Sequence, residues 1–171
     1  MKLVLIGMMG TGKSTIGKLL AAKIGAVFLD TDQLIEARIG KRIAEIFANS
    51  GEIYFRKLEH ELALELSQTK QRQVIATGGG FVLNQSNLEI FRPQGLIIAL
   101  TATPETIYQR VNNDQERPLL AVADPLVRIR ELLKERETNY AQADLVVDTS
   151  NLIPDEIVTE LIKLIPEQIL R

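Results

Sequence analysis

The sequence predicts an α/β fold built on a buried parallel sheet, and three observations carry that prediction. Five short β-rich runs recur along the chain: Leu3–Ile6, Val27–Leu29, Val74–Ala76, Leu96–Leu100 and Leu145–Val147. They are almost wholly apolar instead of alternating, the pattern of strands covered on both faces. Helical patterns separate them, and strands that alternate with helices form parallel units. The third observation is the glycine-rich segment Gly7-Met8-Met9-Gly10-Thr11-Gly12-Lys13-Ser14, which leaves the first run and enters the first helical pattern.

That segment fits the G-x-x-x-x-G-K-[ST] phosphate loop, in the strand–turn–helix setting that gives the motif its meaning. Its glycines let consecutive backbone N–H groups turn toward one anion, and the start of the helix adds partial positive charge. Gly10, Thr11, Gly12, Lys13, Ser14 and Thr15 are the candidate contacts to the phosphates of a nucleoside triphosphate. In such loops the lysine reaches the β- and γ-phosphates and the hydroxyl after it ligates Mg²⁺, which assigns Lys13 and Ser14. A plain glycine turn is the competing reading. The loop points to a nucleoside triphosphate donor and is silent on the acceptor.

Asp30-Thr31-Asp32 closes the second run. In an open parallel sheet, ligands bind beyond the carboxyl ends of the strands. Two carboxylates there divide the work: one helps to hold Mg²⁺, usually through water, and the other accepts the hydrogen bond or proton of an acceptor hydroxyl. Capping of the following helix is the alternative, since Asp is a favoured N-cap. The stretch from Thr31 to Lys70 is too long for one crossover and reads as two or three helices, broken near Asn49-Ser50-Gly51. Its first part, about residues 31–60, is a candidate substrate lobe. Arg56 lies early in a helix whose apolar stripe is Phe55, Leu58, Leu62 and Leu66, with Glu59 three residues on and able to orient the guanidinium. An exposed surface pair is the alternative there. His60 reads as a surface or partly packed histidine, not a catalyst.

Gly78-Gly79-Gly80 follows the third run. It permits close backbone approach to a ligand, or it serves a loop that needs positive φ. A helix beginning near Pro104 carries Arg110 late, placed either to stack on a base or to satisfy the helix's own C-terminus. The polar segment from Asn112 to Pro118, with the residues that follow it to Asp124, reads as a lid over about residues 112–124. Arg117 within it is a candidate to neutralise charge on a transferring phosphoryl group, against the alternative of a solvated loop cation. The helix from about Pro125 to Tyr140 has its apolar stripe at Ile129, Leu132, Leu133 and Tyr140, and Arg136 falls on that stripe. A desolvated cation there needs an anionic partner, in a ligand or inside the protein, unless it snorkels at the core edge. Arg56 and Arg136 together suggest a substrate with a carboxylate as well as a hydroxyl. The last helix starts near Pro154, where Asp155 and Glu156 suit its positive end.

Size and composition narrow the function classes. The 171 residues are one domain's worth. No cysteine is present, which excludes disulfides and thiolate metal sites, and one histidine cannot build a zinc site. Twenty basic against 22 acidic residues, a net charge of −2, argue against a nucleic-acid or anionic-membrane binder. No apolar run approaches the ~20 residues of a membrane span. The chain opens directly into a strand, without the pattern of a signal or transit peptide, so a cytoplasmic location is expected.

With these residues assembled, the chain resembles the shikimate kinase family over nearly its whole length. The resemblance rests on Gly7–Ser14, Asp30-Thr31-Asp32, Phe55-Arg56, Gly78-Gly79-Gly80, Arg117-Pro118-Leu119-Leu120, Arg136 with Tyr140, and Val147-Asp148-Thr149. It implies a single three-layer P-loop NTPase domain over residues 1–171, with a five-stranded parallel sheet of order 2-3-1-4-5 flanked by helices, a helical substrate lobe and a mobile lid. It implies ATP and Mg²⁺, transfer of the γ-phosphoryl group to the 3-hydroxyl of shikimate, a place in chorismate and aromatic amino-acid biosynthesis, and a monomer acting on small molecules. By the same resemblance Asp32, Arg56, Gly79 and Arg136 contact shikimate, with the arginines on its carboxylate and Asp32 as base. Ser14 and Asp30 partner Mg²⁺, and Arg117 lies over the phosphates. Arg110 and Pro154 sandwich adenine, and Glu59 aims Arg56. One departure is Leu152-Ile153, where members often carry a basic or polar side chain before the proline. The competing readings are another small-molecule kinase, acting on gluconate or a nucleoside monophosphate, and a non-enzymatic nucleotide-binding module.

Overall fold

In the computed structural model, which describes residues 1–111, 120, 122–151 and 153–170, strands and helices alternate from the first residues onward. β1 (Lys2–Ile6) leads through the glycine loop into α1 (Lys13–Ile24), and β2 (Val27–Asp30) into α2 (Thr31–Ile39) and α3 (Ile43–Gln68). β3 (Gln73–Ala76), α4 (Gln85–Phe91), β4 (Gly95–Thr101) and α5 (Pro104–Val111) follow. The described chain then resumes as α6 (Pro125–Tyr140), β5 (Leu145–Asp148), α7 (Pro154–Leu164) and α8 (Glu167–Leu170). The strands form one parallel sheet of order β2-β3-β1-β4-β5, as the family resemblance implies.

Alternate residues of β1 feed two cores. Leu3 and Leu5 pack with Ile16 and Leu20 of α1 and Ile157 and Leu161 of α7. Val4 and Ile6 pack on the other face with Leu58 and Leu62 of α3 and Leu88 and Phe91 of α4. The period-2 geometry of a strand thus divides the molecule into three layers. Burial on both faces holds for β1 and β3 and for the middle of β4, but not for the outer strands. Val27 in β2 is 43% exposed and Val146 in β5 is 58% exposed. These strands have a neighbour on one side only and lie at the rim of the helical layers, so a wholly apolar run there does not mean full coverage.

The long insertion after β2 is two helices, the second interrupted at Gly51, whose φ of 78° and ψ of 169° are non-helical. That break lies where the Asn49-Ser50-Gly51 signal puts it. Helix α4 has no counterpart in the sequence reading; its seven residues are too few to display a 3.6-residue period. At the far end of the sheet, the buried Lys2 ammonium donates to the Leu66 carbonyl at 2.9 Å and to Gln73 Oε1 at 2.6 Å. The C-terminal end of α3 is thereby tied to β1, which holds the helix that carries Arg56 and Glu59 against the sheet. Among the described residues, no helix is long and apolar enough to cross a membrane.

Candidate active site

A cleft of about 1080 Å³ opens where β1, β2, β3 and β5 end, lined by the loops that directly follow them. This is the edge at which open parallel sheets take ligands. Its two halves are built differently.

On one side the glycine loop wraps the start of α1. Gly10 and Gly12 adopt φ of 76° and 93°, which turns the loop's backbone so that α1 begins at Lys13 with its positive end facing the cleft. The Lys13 ammonium donates to the carbonyls of Gly7 at 2.8 Å and Met8 at 2.9 Å. Ser14 Oγ donates to Asp30 Oδ2 at 2.6 Å, while Asp30 Oδ1 accepts the N–H groups of Asp32 and Gln33. One Asp30 oxygen therefore caps α2, and the other faces the phosphate loop. Ser14 Oγ and Asp30 Oδ2 are hard oxygen donors side by side. Among the described residues no cluster of three or more His, Cys, Asp or Glu could hold a metal alone. That donor set fits Mg²⁺, which typically takes one or two protein ligands and completes its shell with phosphates and water.

Arg110 does not serve the C-terminus of its own helix. Its guanidinium donates to the Gly10 carbonyl at 3.2 Å and to Thr149 Oγ1 and O at 3.1 and 2.6 Å. Pro154, the first residue of α7, lines the same end of the cleft. Arg117, most of the 112–124 segment and Leu152 lie outside the described residues.

On the other side the polar groups come from four separate segments. Arg56 Nη1 donates to Glu59 Oε2 at 2.6 Å, and Nη2 to Glu52 Oε1 at 2.7 Å. Glu59 is 0% exposed, so the exposed-pair reading fails. The Arg56 guanidinium carbon also lies 5.5 and 6.0 Å from the ring centroids of Phe55 and Phe47, within cation–π range. Burial pushes the Glu59 carboxyl up to about 7, outweighing the attraction of Arg56. Burial, with the charge of Asp30, pushes Asp32 up to about 6 against the pull of Lys13. Asp32 Oδ1 and Glu59 Oε1 are both buried and find no hydrogen-bond partner among the described residues.

The glycine triplet explains how these groups converge. None of Gly78, Gly79 and Gly80 has positive φ, which overturns that reading of the run. A Cβ on Gly78 would lie 2.6 Å from Asp32 Oδ1 and 2.8 Å from Glu59 Oε1, and one on Gly80 would lie 2.3 Å from Arg56 Nη2. Space, not backbone angle, excludes side chains at these two positions. The Gly78 N–H donates to Thr31 Oγ1 at 3.1 Å, which pins the triplet to the Asp30–Asp32 turn. Arg136, only 4% exposed, donates to the Gly79 carbonyl at 3.0 Å, and the Tyr140 hydroxyl donates to the same oxygen at 2.8 Å. Among the described residues no carboxylate pairs with Arg136. His60 meets Asn87 Oδ1 at 2.8 Å and is not among the cleft's lining residues, consistent with a packing role.

Four residues beyond the candidates belong to this constellation: Thr31, Gly78, Gly80 and Thr149. Each lies in a segment that carries the family resemblance, but none is singled out there as a site residue. The run of three glycines was the visible signal for two of them.

Comparisons with known proteins bear on the family and the fold. The shikimate kinase family model matches residues 9–166. A shikimate kinase of Caldanaerobacter subterraneus subsp. tengcongensis is 49% identical over 94% of each chain. One of Symbiobacterium thermophilum is 43% identical over 98% of each. The solved structure of the Acinetobacter baumannii shikimate kinase in complex with shikimate superposes with a TM-score of 0.91 at 35% identity, covering 95% of this chain and 91% of that one. A gluconokinase from Sinorhizobium meliloti superposes with a TM-score of 0.63 at 17% identity, a likeness of fold alone.

Proposed function

The chain belongs to the shikimate kinase family, and on that premise we propose that it transfers the γ-phosphoryl group of ATP to the 3-hydroxyl of shikimate, giving shikimate 3-phosphate and ADP. The reaction is a step of chorismate and aromatic amino-acid biosynthesis, carried out in the cytoplasm by a monomer. The observation that carries the acceptor reading is Arg136. It is a buried cation without a carboxylate partner among the described residues, facing the same cleft as Asp32 and Arg56. A buried guanidinium in that position matches a substrate carboxylate.

In this reading the residues act by positioning and charge neutralisation, as phosphoryl transfer requires. Gly10 to Thr15 hold the phosphates, and Lys13 moves from the loop carbonyls to the β- and γ-oxygens. Ser14, with Asp30 through water, would hold Mg²⁺, which would supply charge neutralisation to the phosphates. Arg56, aimed by Glu59, and Arg136 clamp the carboxylate, the Gly79 backbone donates to the substrate, and Asp32 takes the hydroxyl's hydrogen bond and then its proton. Arg110 and Pro154 hold adenine on either face. The lobe at residues 31–60 covers the acceptor, and Arg117 on a closing lid covers the transferred group. Closure excludes the water that would otherwise receive the phosphoryl group.

A coupled assay of ATP consumption tests the proposal, with shikimate, gluconate and nucleoside monophosphates offered in turn. Turnover with shikimate and none with the others is expected. Preference for another acceptor, or no turnover, refutes it.

A further inference from the structure

The donor half of the cleft contains a threonine that the reaction as described does not use. Thr149 directly follows β5 and is 0% exposed, yet its hydroxyl touches three other segments. Thr149 Oγ1 lies 3.0 Å from the Thr11 carbonyl in the phosphate loop and 3.0 Å from the Thr101 carbonyl at the end of β4. Arg110 Nη1 donates to it at 3.1 Å. The Thr101 carbonyl already accepts the Thr149 N–H at 2.8 Å. A hydroxyl has one proton to give. Directed at the Thr11 carbonyl, it leaves the oxygen's lone pairs to Arg110.

We infer that Thr149 is a positioning residue for the donor nucleotide, coupling the seat of the base to the seat of the phosphates. Among the described residues, its hydroxyl and carbonyl take two of the three hydrogen bonds that Arg110 makes, and the third goes to Gly10. All three lie along the edge of a planar guanidinium, so they fix its plane and leave its faces for stacking. The same hydroxyl grips the phosphate loop one residue further on, at Thr11. The separation between Arg110 and the phosphate loop is thereby set by one buried side chain, instead of by a flexible arginine.

This inference deepens the kinase reading and rests on its donor half, so its test uses ADP affinity, which does not depend on the acceptor. Thr149→Val keeps the volume and removes the hydroxyl. Calorimetric ADP binding is expected to weaken about tenfold, while KM for shikimate stays within about twofold. Thr149→Ser restores ADP affinity. In an Arg110→Ala background, Thr149→Val adds less than about twofold, because its effect passes through the arginine. Unchanged ADP affinity in Thr149→Val, full additivity with Arg110→Ala, or equal losses for both substrates overturns the inference. Should Thr149→Val fold poorly, Thr149→Cys, which packs alike and bonds weakly, is read by the same criteria. Wild-type protein that binds ADP but does not phosphorylate shikimate would refute the acceptor reading and leave this one standing.

Discussion

Two glycine-rich segments follow the paired strands β1 and β3 into the cleft, and they need glycine for different reasons. In the phosphate loop the requirement includes the backbone itself: Gly7, Gly10 and Gly12 have φ of 141°, 76° and 93°. In the second segment the backbone is ordinary, and Gly78 and Gly80 are glycine because the side chains of Asp32, Glu59 and Arg56 occupy the space a Cβ would take. The first requirement lies in the loop's own φ angles, although Leu100, Ile107 and Val111 also crowd Gly7 and Gly10. The second is made by residues 20 to 50 positions away. A local device can be recognised as a motif, whereas a device made of distant side chains cannot.

The same division runs through the polar groups. The Lys13 ammonium and Ser14 hydroxyl are bonded within the donor half, to loop carbonyls and to Asp30. On the acceptor side, among the described residues, Asp32 Oδ1 and Glu59 Oε1 are unpartnered, and Arg136 has only the Gly79 carbonyl and the neighbouring tyrosine. Unpaired buried polar atoms are costly and rarely survive without a role. Among the described residues the acceptor half is thus less fully hydrogen-bonded than the donor half.

This contrast can be tested by substitutions on either side. Lys13→Ala should lower kcat about 10³-fold while the melting temperature changes little, since the loop geometry belongs to the glycines. A variant that keeps activity would contradict the donor assignment. Arg136→Ala should raise KM for shikimate by the equivalent of about 2–5 kcal/mol and leave KM for ATP alone; normal shikimate affinity would remove Arg136 from the acceptor site. The two kinds of glycine should fail differently. A Cβ on Gly7 would lie 2.2 Å from the backbone oxygen of Leu100, so Gly7→Ala should cost about 3 kcal/mol of stability, measured by denaturant unfolding. Gly80→Ala meets only the tip of the Arg56 side chain, which can swing aside. It should keep stability within about 1 kcal/mol and raise KM for shikimate about tenfold. Equal destabilisation by both would erase the distinction.

The smallest effect is on pH dependence. Asp32 must be ionised to accept the hydroxyl's proton, and burial raises its carboxyl to about 6. The kcat/KM for shikimate should therefore fall as pH drops through about 6, two units above an ordinary aspartate. Asp32→Asn should remove that limb along with most of the rate. A wild-type profile flat down to pH 5 would leave Asp32 as a positioning group only.

Much of this molecule is legible in its residues. The five strands are found to within a few residues, since buried parallel strands announce themselves as short apolar runs. Arg136 is legible from helical period alone, because a cation on an apolar stripe is buried wherever that stripe packs. Arg56 is not: its i+3 partner looks like any surface pair until Glu59 proves wholly buried. Thr149 is visible only as the end of the Val147-Asp148-Thr149 segment, and nothing in that segment shows that Arg110 and Thr11 are brought against its hydroxyl.

By itself the sequence determined the α/β architecture, the phosphate loop and the inventory of charged groups able to serve an acceptor. Each of those depends on residues within a turn or two of one another. Only the tertiary structure decided that Gly78 and Gly80 are spacers for side chains, that Asp32 and Glu59 are raised by a common burial, and that Arg110 is held through Thr149. These depend on which side chains from distant segments share one volume, and on how much water that volume excludes. Local sequence encodes neither.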